Sequence, residues 1–177
     1  MSGKDYEEKI RRETTLLERI ISYIPGYRGY KEKEIRRESD RLVRMEAVNK
    51  LKEAKNTVRI KLADLTNSKK IEDRDIVKID TLLSRLDRIV ERIDKAPAGY
   101  AGLFDAVKVR EDKLDKILEH DLALIQKSVE IRDTVEEFKN LEVREEYLKS
   151  IDKMLDYIDE LEKVVDRRIE ILRGLTS

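Results

Sequence analysis

Along nearly the whole chain apolar residues recur every three or four positions, the spacing that gathers them on one face of a helix. The rhythm breaks twice, at Pro25-Gly26-Tyr27-Arg28-Gly29-Tyr30 and at Pro97-Ala98-Gly99-Tyr100-Ala101-Gly102. Proline removes a backbone donor and glycine admits positive φ, so both segments read as corners. No strand-like alternation lasts more than a few residues.

The pattern predicts five helices. The first covers about 5–24, with Ile10, Leu17, Ile20, Ile21 and Ile24 on one face. The second covers about 31–66, with Ile35, Leu42, Met45, Val48, Leu51, Val58, Leu62 and Leu65 as its apolar line, and at about 1.5 Å per residue it is roughly 50 Å long. Residues 66–70, Thr-Asn-Ser-Lys-Lys, read as a turn. The third helix, about 72–95, places Ile76, Leu83 and Val90 at one heptad position and Ile79, Leu86 and Ile93 three residues further on. Leu82 and Ile89 widen that stripe, which implies burial among at least two neighbouring helices.

A fourth helix opens near Leu103 and carries Val107, Leu114, Ile117, Leu118, Leu124, Ile125, Val135 and Phe138. The fifth sets Leu148, Leu155 and Ile169 at one heptad position and Ile151, Ile158, Val165 and Leu172 at another, before Gly174 closes it. Counting sevens from Val107 through Leu114 and Val135 predicts core positions 142 and 149, whereas the sequence offers Leu141 and Leu148. This slip of one residue near Asn140 predicts a tight turn; one very long helix is the rival reading. The expected fold is all-α: a single domain over 1–177, built as an elongated antiparallel bundle of four long helices plus a shorter N-terminal helix, with coiled-coil-like packing.

Charge sharpens the picture. Lys and Arg number 39 and Asp and Glu also 39, which argues against a nucleic-acid binder that relies on bulk positive charge. The cancellation is not local: residues 1–88 hold 23 basic against 17 acidic residues, and residues 89–177 hold 16 against 22. The halves should attract each other, within one molecule or between two. Cysteine is absent, so no disulfide or thiolate site exists and a cytoplasmic location is expected. The longest uncharged stretch, 96–104, is far short of the roughly 20 residues of a membrane-spanning helix. The polar residues 1–8 have no apolar run, so no secretory signal is expected. One glutamine beside abundant Lys, Arg, Glu and Ile gives the composition a thermophile-like cast.

The two corners share Gly-Tyr-x-Gly. Alternating helix directions would put them at one end of the bundle, where Tyr27, Tyr30, Tyr100 and Phe104 either plug the core or, with Arg28, Lys31 and Arg37, form a docking surface for a partner. The basic residues of 28–44 are an anion footprint in principle, for nucleic acid or an anionic membrane surface. Glu32, Glu34, Glu38 and Asp40 are interleaved, however, and Glu32 with Arg36 and Asp40 with Arg44 are spaced for i to i+4 pairing, so a solvated, self-neutralised helix face is expected. His120, the only histidine, follows Ile117 rather than Glu at the spacing of di-iron bundles and falls near the border of the apolar stripe. No metal or cofactor is expected. Asp121 falls inside the stripe and needs a tyrosine hydroxyl or an arginine as partner; Glu162 interrupts the fifth helix's core line in the same way. No catalytic motif is present, and no small-molecule substrate is evident.

The segments PGYRGYKEKE (25–34) and GYAGLFDAVKVRED (99–112) resemble those of small, uncharacterised prokaryotic helical-bundle proteins. The resemblance implies no reaction, ligand or cofactor, only that both corners belong together. The sequence thus points to a non-enzymatic interaction or scaffold bundle that binds another protein or a second copy of itself.

Overall fold

The computed structural model describes residues 3–25, 32–96 and 111–176, with side chains over 11–25 except 13, and over 39–96, 116–168 and 170–171. Five helices make up these residues: α1 (Gly3–Ser22), α2 (Glu32–Asn67), α3 (Asp73–Asp94), α4 (Glu111–Lys139) and α5 (Arg144–Thr176). The fold is an all-α bundle. The turn at Asn140 separates α4 from α5: the Leu141 amide donates to the Phe138 carbonyl at 3.1 Å and the Asn140 side chain to the Glu136 carbonyl at 3.2 Å, which satisfies the last carbonyls of α4.

The turn from α2 to α3 has a similar logic. Lys69 adopts φ of 53°, and the Lys70 amide reaches the Leu65 carbonyl at 2.9 Å, the long return bond of a left-handed helix stop. Each of these turns closes an antiparallel hairpin. In the first, Lys55 meets Asp87 and Arg44 reaches the carbonyl of Ala96; in the second, Lys127 meets Glu160 and His120 meets Val164. The hairpins lie side by side with α2 against α4 and α3 against α5. Thr57 meets Glu136 and Lys78 meets Asp152, so both cross-hairpin pairs run parallel.

α1 lies outside this ring, in the groove of α4 and α2, burying Leu16, Leu17, Ile20 and Ile24. Its direction departs from the alternation expected of the sequence. Arg12 pairs with Glu119 and Tyr23 with Gln126, so α1 runs parallel to α4 and hence to α2. The reason is its apolar face, which matches the outward groove between two parallel helices rather than an end of the ring.

The core is a continuous aliphatic cluster with Phe138 and Tyr147 as its largest members. Burying each Leu, Ile or Val side chain contributes about 1.5–3 kcal/mol. On α2 the buried line is Leu42, Val48, Leu51, Val58 and Leu65, as predicted, but Met45 is 46% exposed. Val43, Ala47 and Ala54 are buried as well, so the covered face is turned toward them, and Met45 falls beyond its edge.

Candidate functional site

Seven-residue counting now picks out three charged side chains in apolar positions. Asp40 stands seven residues before Ala47 on α2, Asp121 seven before Ser128 on α4, and Arg168 seven after Leu161 on α5; all six are buried. The packing that brings these lines together brings the charges together. Arg168 Nη1 donates to Asp121 Oδ1 at 3.2 Å and Nη2 to Asp40 Oδ1. Arg44 completes the centre. It sits 3.3 Å from Asp40 Oδ2 and donates to the Ala96 carbonyl at 2.7 Å, where α3 has already ended.

Two aspartates and two arginines thus cancel inside the bundle and tie α2, α4, α5 and the end of α3 together. A guanidinium can serve two carboxylates at once because its donors spread in a planar fork, which an ammonium cannot match. Removing water from such charges costs several kcal/mol per ion, so the cluster survives only because every charge faces an opposite one. Burial pushes the Asp121 carboxyl up, against the opposing pull of His120 and Arg168.

His120 is 6% exposed, not the border or surface residue that its sequence position suggests. The Val164 carbonyl of α5 holds its Nε2 at 2.8 Å. A carbonyl only accepts, so Nε2 carries the hydrogen, and Nδ1 then lies 3.6 Å from Asp121 Oδ1. A proton on either of those atoms turns an opposed pair of acceptors into donor and acceptor.

Above this centre the seam of α4 and α5 opens into a groove of about 500 Å³, whose floor is His120, Ala123, Val164 and Ile171 and whose lips are Lys116, Lys163, Arg167 and Glu119. A second hollow on the other side of α4 is lined by Arg11, Arg12, Arg19, Leu16 and Gln126 and shares Glu119 and Ala123. Glu119 is drawn toward α1 by Arg12, at 2.5 Å. Arg11, Arg19, Lys116, Lys163 and Arg167 form no ion pair among the described residues. This concentration of unpaired cations contrasts with the α3–α5 edge, where Lys78, Arg85 and Arg92 pair with Asp152, Asp159 and Asp166.

Of the residues singled out in the sequence, Asp121 is fully buried and held by an arginine. Glu162 is not a core residue: its side chain is 24% exposed and lies 2.9 Å from Arg85 of α3. Leu161 occupies the core position at that level, so Glu162 reaches around the edge instead. Asp40 and Arg44 form the i to i+4 pair that their spacing predicts, but inside the bundle and not on a solvated helix face: the two side chains are 4% and 12% exposed, because Asp40 falls on the covered heptad line of Ala47. Tyr27, Arg28, Tyr30, Lys31, Tyr100 and Phe104 lie outside the described residues, as does the side chain of Arg37. The flanks of the two corners are described. Pro25 lies beside Glu46, Asn49, Lys50 and Glu53 of α2, and Ala96 lies at Arg44. The described flank of the first corner therefore lies near the middle of α2 and that of the second nearer its start, on different faces of the helix.

Sequence reasoning missed the burial of Asp40 and missed Arg168 altogether. The signal was their heptad spacing from Ala47 and Leu161. Among the described residues no group of three or more His, Asp or Glu could hold a metal ion, and no helix is long and apolar enough to cross a membrane. Compared with protein-family models, with curated proteins and with solved structures, the chain matches none.

Proposed function

We propose that this chain is a non-enzymatic interaction and scaffold bundle, and that its working surface is the face formed by α1, α4 and α5. One observation carries the reading: Arg11, Arg19, Lys116, Lys163 and Arg167 stand on three helices around one ridge without ion partners among the described residues, backed by a cross-linked ionic centre that fixes two of those helices. Unpaired charge over a fixed support favours electrostatic recognition of an acidic protein surface, because no existing ion pair has to be broken on docking.

A second copy of the chain is the partner whose charge fits. Asp73, Glu137, Glu145, Glu146 and Asp156, exposed and without ion pairs among the described residues, lie toward the opposite end. Head-to-tail contact of that kind builds a ring where the rotation between copies closes and an open-ended assembly where it does not. The heptad-spaced pairs of α3 and α5 fit coiled-coil-like packing, and we place the protein in the cytoplasm, which suits its cysteine-free sequence.

Light scattering at about 20 mM and about 500 mM salt tests the assembly. The expected result is a mass above that of one 20.9 kDa chain at low salt that falls toward it at high salt. Arg19→Glu combined with Arg167→Glu should reduce association at low salt. A single-chain mass under both conditions overturns self-association.

A further inference from the structure

The α4–α5 seam changes character along its length. At its lower part Lys127 spans the helices, bound to Glu130 at 2.9 Å and Glu160 at 2.6 Å and lying 5.5 Å from the centre of the Tyr157 ring, so that one aromatic ring and one ion-pair cluster fill the space. One turn higher the facing positions are Ala123 and Val164. These side chains are shorter than those below, and the groove of about 500 Å³ opens there, within the roughly 300–1,000 Å³ range of small-molecule sites. A further small void lies deeper, against Ile117, His120, Arg168 and Ile171.

We propose that this groove binds a fatty-acid-like carboxylate, its hydrocarbon chain laid on Ala123, Val164, Ile171 and the His120 ring and its head held by Arg167 with Lys116 and Lys163. The inference rests on the reading of the α1–α4–α5 face as the recognition surface and names a ligand for part of it. Three arguments select this chemistry. The floor is mainly apolar, which a bare anion would leave unused. The lips carry three cations without ion partners among the described residues, which an uncharged hydrocarbon would leave unused. Of the described carboxylates nearby, Glu119 is turned away by Arg12, and Glu170 is exposed one turn beyond Arg167 with no ion pair to it, so a ligand carboxylate meets a guanidinium with no ion partner among the described residues. That planar fork suits a carboxylate through two parallel hydrogen bonds.

The test is calorimetric titration of the full chain with dodecanoate below its micelle concentration, beside dodecanol, acetate and inorganic phosphate. Saturable 1:1 binding of dodecanoate is expected, with the other three at least tenfold weaker. Arg167→Glu should weaken dodecanoate at least tenfold. Ala123→Phe should abolish binding by filling the seam as Tyr157 does below. Arg92→Glu, on the opposite edge, should leave it unchanged. Arg167 is exposed and Ala123 half-buried, and an unchanged helical circular dichroism spectrum and melting temperature would show that the variants fold. Equal binding of dodecanol, or no effect of Arg167→Glu, would reduce the groove to a greasy contact and overturn the proposal. Equal binding of acetate or phosphate, or no binding of dodecanoate at millimolar concentration, would overturn it too. Dodecanoate binding by a chain that stays single at low salt would uphold this site while the self-association reading fails.

Discussion

The α3–α5 edge and the α4–α5 seam use the same helix, α5, in opposite ways. Along α3, cations at 78, 85 and 92 meet aspartates at 152, 159 and 166, one pair per heptad and all at the rim. Along α4 the upper contact is inverted: the ions lie in the interior, at Asp121 and Arg168, and the rim is left with cations and an open groove. Rim pairs in water are screened and contribute little, about 0–1 kcal/mol each. Interior pairs contribute conformational specificity, and removing one member leaves a buried charge alone. One edge therefore reads as a closed fastening of individually weak, salt-screened pairs, and the other as a support held in a single arrangement beneath a surface kept available.

The strongest way to break this contrast is Arg168→Leu. It deprives Asp40 and Asp121 of their shared guanidinium, and a loss of about 3–5 kcal/mol is expected from urea unfolding; a loss below about 1 kcal/mol would mean that the centre does not organise the seam. Next in size is the lower anchor. Asp75, at the start of α3, accepts two hydrogen bonds of 2.8 Å from Arg144 and lies 3.3 Å from the Tyr147 hydroxyl, which also reaches the Lys70 carbonyl at 3.1 Å. Asp75→Asn should cost about 1–3 kcal/mol, because the charge-assisted bonds weaken in a buried place.

These two buried aspartates should also respond oppositely to pH. The Arg144 hydrogen bonds hold the Asp75 carboxyl below its ordinary value, so its contribution is present above about pH 4, the unfolded value, and is lost as pH falls through the lower folded one. Burial raises Asp121, so the folded state takes up a proton there, and stability from this group declines as pH rises from about 4 through the raised folded value. Asp121→Asn should remove a component that declines with pH, and Asp75→Asn one that disappears in acid. Parallel pH curves for the two variants would contradict the assignment. The smallest expected effect belongs to the rim: Arg92→Ala should cost less than about 1 kcal/mol and the difference should vanish in about 1 M salt, read by thermal melting.

Much of the architecture was legible because helical periodicity reports directly on burial. The one-residue slip at Asn140 located a turn with neither glycine nor proline, since a change of register is a geometric consequence of restarting a helix. Asp121 was legible for the same reason, as a polar residue where a core residue was due. Arg168 and Asp40 were not. Lines built on Leu, Ile and Val pass over Ala47 and Ala54, whose small side chains mark the approach of α4 and extend back to Asp40. The wide stripe of α5 likewise admits two alignments, Leu148 with Leu155 or Tyr147 with Met154 and Leu161, and only the second leads to Arg168. The direction of α1 was hidden because an amphipathic face states that it is covered, not which way its neighbour runs.

That last feature sets a hierarchy of motion. α1 clings to the ring by one aliphatic strip, while the four other helices enclose one another, so the N-terminal helix can lift away without exposing most of the central aliphatic cluster. Amide hydrogens of residues 11–22 should exchange with solvent through this partial opening, well before those of 47–58, which await disassembly of the whole.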